Sequence, residues 1–328
     1  MIPRWRKVWR DLWINKTRTI LVLLSISIGV TTIGMVLTSQ LIVEDSLPEA
    51  FAAVNPASAT LFSLNTFDES LVETIRDLDE VGEAEGRRFV NVRFLTSDGE
   101  WRNLQIFAIP DYDEITLNLL NPQEGEYPPP ERTILLERNS FTAALGLGDV
   151  AVGDSIIMEP PDGRQREVLI SGSVHDINQL PAAINGSGYA YATFETLEWL
   201  GEPLDYNQLV FVVNDDPATE QNEKLNIDYI REVGKEIQDR LERDNVSVLF
   251  TLIFPPGEHP AQNFLDALSL ILGAVGILSL ALSGFIIVNM LSAILEQQVR
   301  HIEDHVIVRR CHGFVQECLI HLLLAQSH

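Results

Sequence analysis

The sequence predicts a membrane protein: two transmembrane α-helices flanking an α+β extracytoplasmic domain, itself two βαβ-type halves around a β-rich inserted subdomain. Three observations predict it. Two uncharged runs, Thr19 to Val43 and Ala267 to Leu295, cover 25 and 29 positions. At 1.5 Å per residue even the shorter is about 37 Å long, more than the ~30 Å of a bilayer's hydrocarbon core. Basic residues crowd the N-terminal side of the first run, and none follows it until Arg76. Between the runs, apolar periods of 2 and 3.6 residues alternate, which is the pattern of mixed strands and helices.

The first 18 residues predict an amphipathic helix lying in the membrane interface. In "PRWRKVWRDLW", Trp5, Trp9 and Trp13 share one face at helical spacing, while Arg4, Arg6, Lys7 and Arg10 take the other. Tryptophan rings at headgroup depth beside cations facing anionic lipid suit a helix resting on a bilayer. The apolar run that follows is too long for a signal peptide, and "TSQLIVEDS" at its end offers no cleavage site. Residues 19–43 and 264–295 are therefore read as spans. The basic flank places the N-terminus in the cytoplasm and residues 44–263 outside.

That external segment carries 41 acidic and 14 basic residues and no cysteine. Such a charge repels nucleic acid and keeps the surface solvated. A hydrophobic core alone must hold it together, and its length is ample for that. "ATLFSL" reads as a strand. Thr66 and Glu69 form a capping-box pattern ahead of a helix with Leu71, Ile75 and Leu78 on one face. A hairpin follows, Val90, Val92 and Phe94 alternating with polar residues, "SDGE" turning and "LQIFAI" returning. "GYAYATFETLEWLG", "NQLVFVV", an amphipathic helix through Ile227, Ile230, Val233, Ile237 and Leu241, and "VSVLFTLI" make the second half. The inserted subdomain is placed at about residues 120–187, where Gly- and Pro-marked turns separate strands such as "DSIIME" and "REVLISGSV".

No catalytic, cofactor-binding or metal site is expected. "SGSVHD" brings Ser171, Ser173, His175 and Asp176 together, but neighbours on a strand point to opposite faces, so adjacency does not build a triad. "DYDE" lacks calcium-loop spacing and reads as a solvated turn. His301, His305, Cys311, His312, Cys318 and His321 crowd the tail without a zinc spacing. There is no G-x-x-x-x-G-K-[ST], so ATP hydrolysis, where needed, falls to another polypeptide. Small residues four apart, Ser25 with Gly29, Ser269 with Gly273 and Ser279 with Ser283, would let the spans pack closely.

"WRKVWRDLWINKTRTILVLLSISIGV", "LLERNSFTAALGLGDVAVGDSIIM" and "GILSLALSGFIIVNMLSAILEQQVR" resemble, in this order, parts of ABC transporter permeases of the MacB/FtsX type. They match the N-terminal helix and first span, the MacB-like periplasmic core domain, and the second span with the start of the FtsX-like permease domain. The resemblance covers about residues 4–300. It implies a bacterial inner-membrane protein that forms a homodimer or pairs with another permease, docks on a separate ATPase subunit and relays the ATPase cycle to its external domain. Gln297, Gln298 and Arg300 match the stretch leading to the ATPase-coupling segment. Beyond Arg300 the family pattern "QIGIMKAIGA" gives way to "HIEDHVIVRRCHGFVQECLIHLLLAQSH", so residues 296–328 form an atypical cytoplasmic tail. The expectation is a chain truncated or frameshifted after Arg300. The competing expectation is a two-span receptor or an extracytoplasmic scaffold, and the substrate is not legible.

Overall fold

The structure, a computed structural model, describes residues 13, 16–214, 227–253, 255, 259, 262, 264–289 and 292. In chain order its elements open with helix α1 (Lys16–Ala52), strand β1 (Ala59–Phe67), helix α2 (Glu69–Arg76) and strands β2 (Val81–Leu95), β3 (Trp101–Ile109), β4 (Asn121–Gly125) and β5 (Thr133–Glu137). Two 3₁₀ turns, Arg138–Ser140 and Ala143–Leu145, precede β6 (Ser155–Glu159) and β7 (Arg166–His175). Helix α3 (Ala182–Asn185), β8 (Gly188–Thr193), α4 (Phe194–Leu200), β9 (Tyr206–Val213), α5 (Ile227–Arg243), β10 (Val248–Ile253) and α6 (Phe264–Asn289) complete it. The chain divides into two compact units, one of Ile42–Phe264 and one of residues up to Leu41 together with those from Leu265.

The larger unit is an α+β domain. Its first sheet runs β10-β1-β9-β2 with every neighbouring pair antiparallel. Strands β1 and β2 thus lie parallel with β9 between them, and β9 and β10 lie parallel with β1 between them. The units β1-α2-β2 and β9-α5-β10 are therefore two interleaved split βαβ motifs, a ferredoxin-like arrangement. Both helices cover one face: Val72 and Ile75 of α2 and Val233, Ile237 and Leu241 of α5 are buried against Leu61, Leu209 and Phe211. The period of 3.6 read from the sequence is the seam along which these helices lie.

Helix α2 is capped by Asp68, not by Thr66 as the capping-box pattern suggested. The Asp68 side chain accepts the Leu71 N–H. Pairing of Phe67 with Tyr206 keeps that stretch extended, so the first position free to cap is 68.

Strand β2 is long because it serves two sheets. Residues up to Arg87 pair with β9, and Arg88 to Leu95 pair with β3 in the register Arg88↔Ala108 to Leu95↔Trp101. At the crossing point a Cβ on Gly86 would lie 2.4 Å from the Tyr206 ring, so only glycine lets the ring cover the strand there. From β2 the second sheet proceeds through β3, β8, β5, β7 and β6, and β6 returns to β2, closing a six-stranded barrel. Closure removes the open edges a flat sheet would expose. Val92, Phe94, Ile106, Ile134, Met158 and Tyr191 are among the side chains that fill it. The barrel draws on residues both before and after the 120–187 stretch. Among the described residues, strand β4 pairs only with the end of β7.

In the smaller unit, α6 is long and apolar enough to cross a membrane, with a mean hydropathy of 2.5 over its most apolar window; among the described residues no other helix meets that measure. Gly29 is buried in α1, and a Cβ there would stand 3.4 to 3.8 Å from Leu280, Ser283 and Ser279 of α6. A Cβ on Gly276 would come within 3.2 Å of Ile33. Gly29 thus stands beside Leu280, Ser283 and Ser279, and Gly276 beside Ile33, where α1 and α6 meet. A Cβ on Gly273 would meet nothing within 4 Å, so the Ser269/Gly273 pair has no such neighbour.

Candidate functional site

A network of buried and half-buried hydrogen bonds lies where connecting segments attach to the domain. Phe51, in the last turn of α1, is buried, and the chain then turns at Asn55, whose φ of 49° is left-handed. Asn118, with φ 48°, faces it. Asparagine tolerates this region better than other side-chain-bearing residues. The Asn118 N–H donates to Asn55 O at 2.9 Å and the Leu119 N–H to Val54 O at 2.9 Å. The Asn55 amide donates to Thr116 O at 2.8 Å, and Asn118 Oδ1 accepts the Ala57 N–H at 2.9 Å. The "NP" dipeptide at Asn55 and Pro56 is a turn signal in the sequence. Its partner 63 positions away is not legible there.

The 110–120 loop is fastened in turn to β2. Glu85 accepts the Thr116 N–H at 2.6 Å, the Thr116 hydroxyl at 2.9 Å and the Leu117 N–H at 2.9 Å. Arg87 donates to Leu117 O at 2.5 Å and to Glu85 Oε2 at 2.9 Å. Burial pushes the Glu85 carboxyl up, but the Arg87 charge and the N–H groups of Thr116 and Leu117 outweigh it and hold the group below the usual carboxylate range.

The outgoing segment meets the barrel through His259. Its Nε2 lies 2.6 Å from Ile177 O, and its ring stands edge-on to Phe51 with centroids 5.3 Å apart. Burial lowers its pKa. Next to Ile177, Asp176 is 4% exposed and accepts the Tyr191 hydroxyl at 2.5 Å and the N–H and side-chain amide of Asn178 at 2.9 Å each. His175 Nδ1 is 3.1 Å from Glu137, which is 1% exposed, and its Nε2 is 3.1 Å from Arg138 Nη2. Arginine only donates, so Nε2 accepts and Nδ1–H donates to Glu137. Burial nevertheless raises the Glu137 pKa, and burial beside Asp176 lifts the Tyr191 phenol well above its ordinary value.

This arrangement holds segments in place. Both His175 nitrogens are engaged by Glu137 and Arg138, so the Ser171 and Ser173 hydroxyls of "SGSVHD" have no base; the Ser171 hydroxyl is taken by Thr133 and Ile134 O. In "DYDE", Asp111 closes a turn on the Asp113 N–H. Among the described residues no group of three His, Cys, Asp or Glu side chains could hold a metal ion.

Of the membrane-interface residues, Trp13 is exposed, with Lys16 Nζ 4.4 Å from its ring centroid. Arg4, Trp5, Arg6, Lys7, Trp9 and Arg10 lie outside the described residues, as do Gln297, Gln298, Arg300 and the His/Cys-rich tail. Sequence reasoning missed Glu85, Glu137, Asn118 and His259; at Asn55 a turn signal was legible, but not the residue it pairs with.

No protein-family model and no curated protein matches the chain. Among solved structures, the fold is similar to the periplasmic region of MacB from Actinobacillus actinomycetemcomitans, at 13% identity, 62% of this chain, 91% of that one and a TM-score of 0.38. It is also similar to the extracellular domain of the noncanonic ABC-type transporter YknZ from Gram-positive bacteria, at 13% identity, 61% of this chain, 100% of that one and a TM-score of 0.36.

Proposed function

We propose that this chain is the permease subunit of an ABC system of the MacB/FtsX type, with residues 19–43 and 264–295 as two membrane spans and residues 44–263 as an extracytoplasmic domain. A separate ATPase subunit binds the cytoplasmic side, and its cycle is relayed to the external domain for export, extraction or force transmission. The chain works as a homodimer or beside a second permease, and its N-terminal helix rests on the inner leaflet through Trp5, Trp9 and Trp13.

One observation carries the reading. Phe51, at the end of the incoming connection, and His259, in the outgoing one, meet with their rings 5.3 Å apart. A domain held at one point by both of its connections responds to relative movement of the two segments, which an enzyme or a simple tether does not need. The basic N-terminal flank and the order of the resembling segments support the same reading.

Affinity purification of the tagged chain from its native membranes tests it. A P-loop ATPase encoded near the gene is expected in the complex, and purification without one overturns the proposal.

A further inference from the structure

We propose that β10 is a self-pairing edge: in the membrane, the β10 strands of two copies of this chain lie side by side, antiparallel, and carry the first sheet across both molecules. Among the described residues β10 pairs with β1 alone, so its outer side has no strand to take its backbone N–H and C=O groups. An edge of this kind is commonly blunted by a charge or a proline within it. "VLFTLI" has neither.

The side chains beside this edge are apolar and uncovered. Helix α5 covers one face of the sheet, and Ile253 packs there. On the opposite face Phe62 of β1 and Phe250 of β10 are register partners with ring centroids 4.8 Å apart, and Thr60 is paired with Leu252. Phe250 is 45% exposed, Leu252 41%, Leu249 at the bulge 56% and the nearby Leu64 70%. Together they leave on the order of 400 Å² of apolar surface, a size typical of an interaction patch.

Charge selects the occupant. The external segment holds 41 acidic and 14 basic residues, so two copies repel over most of their surface, and a basic partner would be drawn to other faces. Residues 57–67 and 245–253 contain no charged side chain. Two β10 edges therefore meet with no charge opposing another, and identical strands related by a two-fold axis match their own hydrogen-bond pattern. Area narrows the choice further. Two such patches bury about 800 Å², short of the ~1,200 Å² of a stable complex between free proteins. Copies held in one membrane need less, because tethering raises their effective concentration. This suits a second membrane-held copy better than a partner arriving from solution. The inference rests on the proposed membrane spans for that tether.

Single cysteines placed in turn at positions 248–253 test it, in a chain whose two native cysteines, Cys311 and Cys318, are replaced by serine, under mild oxidation of native membranes. Directly opposite residues of an antiparallel pair have Cα atoms about 4.5–5.5 Å apart, within disulfide reach. Positions near the two-fold axis should give a chain dimer several-fold more readily than the strand's ends, and than Glu73→Cys on the exposed side of α2. Adding Leu252→Lys, which sets like charges close together at the axis, should cut that yield several-fold while thermal unfolding stays unchanged. A yield that is flat along the strand, or unaffected by Leu252→Lys, overturns the pairing, as does an adduct between these cysteines and a different polypeptide. ATPase co-purification from the same membranes reads the permease assignment separately: cross-linking without an ATPase fails that reading alone, and an ATPase without cross-linking fails this one alone.

Discussion

The carboxylate of Glu85 accepts the backbone N–H of Thr116 at 2.6 Å, and through it the loop after β3 is fastened to the strand that feeds both sheets. Glu85 also stands between that loop and Arg87, whose side chain is 6% exposed. Removing one member of a buried ion pair costs about 3 kcal/mol or more, because the other charge is left in the interior. Glu85→Ala should lower the unfolding free energy of the domain by that amount, and Glu85→Gln by less. Denaturant unfolding of the full chain in detergent measures it. A loss below about 0.5 kcal/mol, the level of an ordinary surface substitution, would mean that the loop is held by other means.

The same group sets an acid limit. Its folded pKa lies below the ordinary 4.5. A depressed carboxylate adds stability that is complete above its ordinary value and lost as pH falls through the folded value. The advantage of wild type over Glu85→Gln should therefore be constant from pH 7 to about pH 5 and shrink below that. A stability difference that grows on acidification would contradict this placement.

Among the described residues, Tyr191 is the side chain outside the Asp176 turn that donates to that buried carboxylate. Tyr191→Phe keeps the ring in the barrel and removes one donor. The cost should be about 1 to 3 kcal/mol, the price of an under-satisfied buried acceptor. Thermal unfolding at neutral pH reads it, and an unchanged midpoint would show that Asp176 finds another donor.

Gly125 and Gly99 separate strain from collision. Both have φ above 80°, but a Cβ on Gly125 would stand 2.2 Å from Ser171 O, whereas one on Gly99 would meet nothing within 4 Å. Gly99→Ala should cost about 1 to 2 kcal/mol, from the left-handed backbone alone. Gly125→Ala should cost clearly more and loosen β4 from β7, seen as faster hydrogen exchange at residues 121–125. Equal costs would mean that the β4–β7 pairing yields freely.

In the smaller unit, Gly29→Leu should part α1 from α6. A cysteine pair at positions 33 and 276, where a Cβ on Gly276 would lie 3.2 Å from Ile33, should cross-link readily in the wild-type background. With Gly29→Leu added, the yield should fall several-fold. Undiminished cross-linking would remove the small-residue explanation of this packing.

Much of the fold is legible in the chain because it is written locally. The Val90, Val92 and Phe94 alternation and the "SDGE" turn lead to the β2–β3 hairpin in its observed register. The spacing of Ile230, Val233, Ile237 and Leu241 leads to the buried face of α5. The junction is less legible. "SGSVHD" could be singled out for its chemistry, yet Glu137 stands 38 positions from His175, and Tyr191 stands 15 from Asp176. No spacing connects them, so the same residues could be read as a poor triad when they are the polar anchor of a strand end.

By itself the sequence determined what depends on neighbours along the chain: the apolar runs, the basic flank, and the faces of helices and strands. Only the tertiary structure decided that β2 passes from one sheet into a closed barrel, and that Phe51 and His259 meet at the end of β7. The physical reason is that periodicity records which face of an element is apolar but not which element will cover it. Barrel closure and buried hydrogen bonds depend on long-range pairings, which exist only once the chain has been brought together.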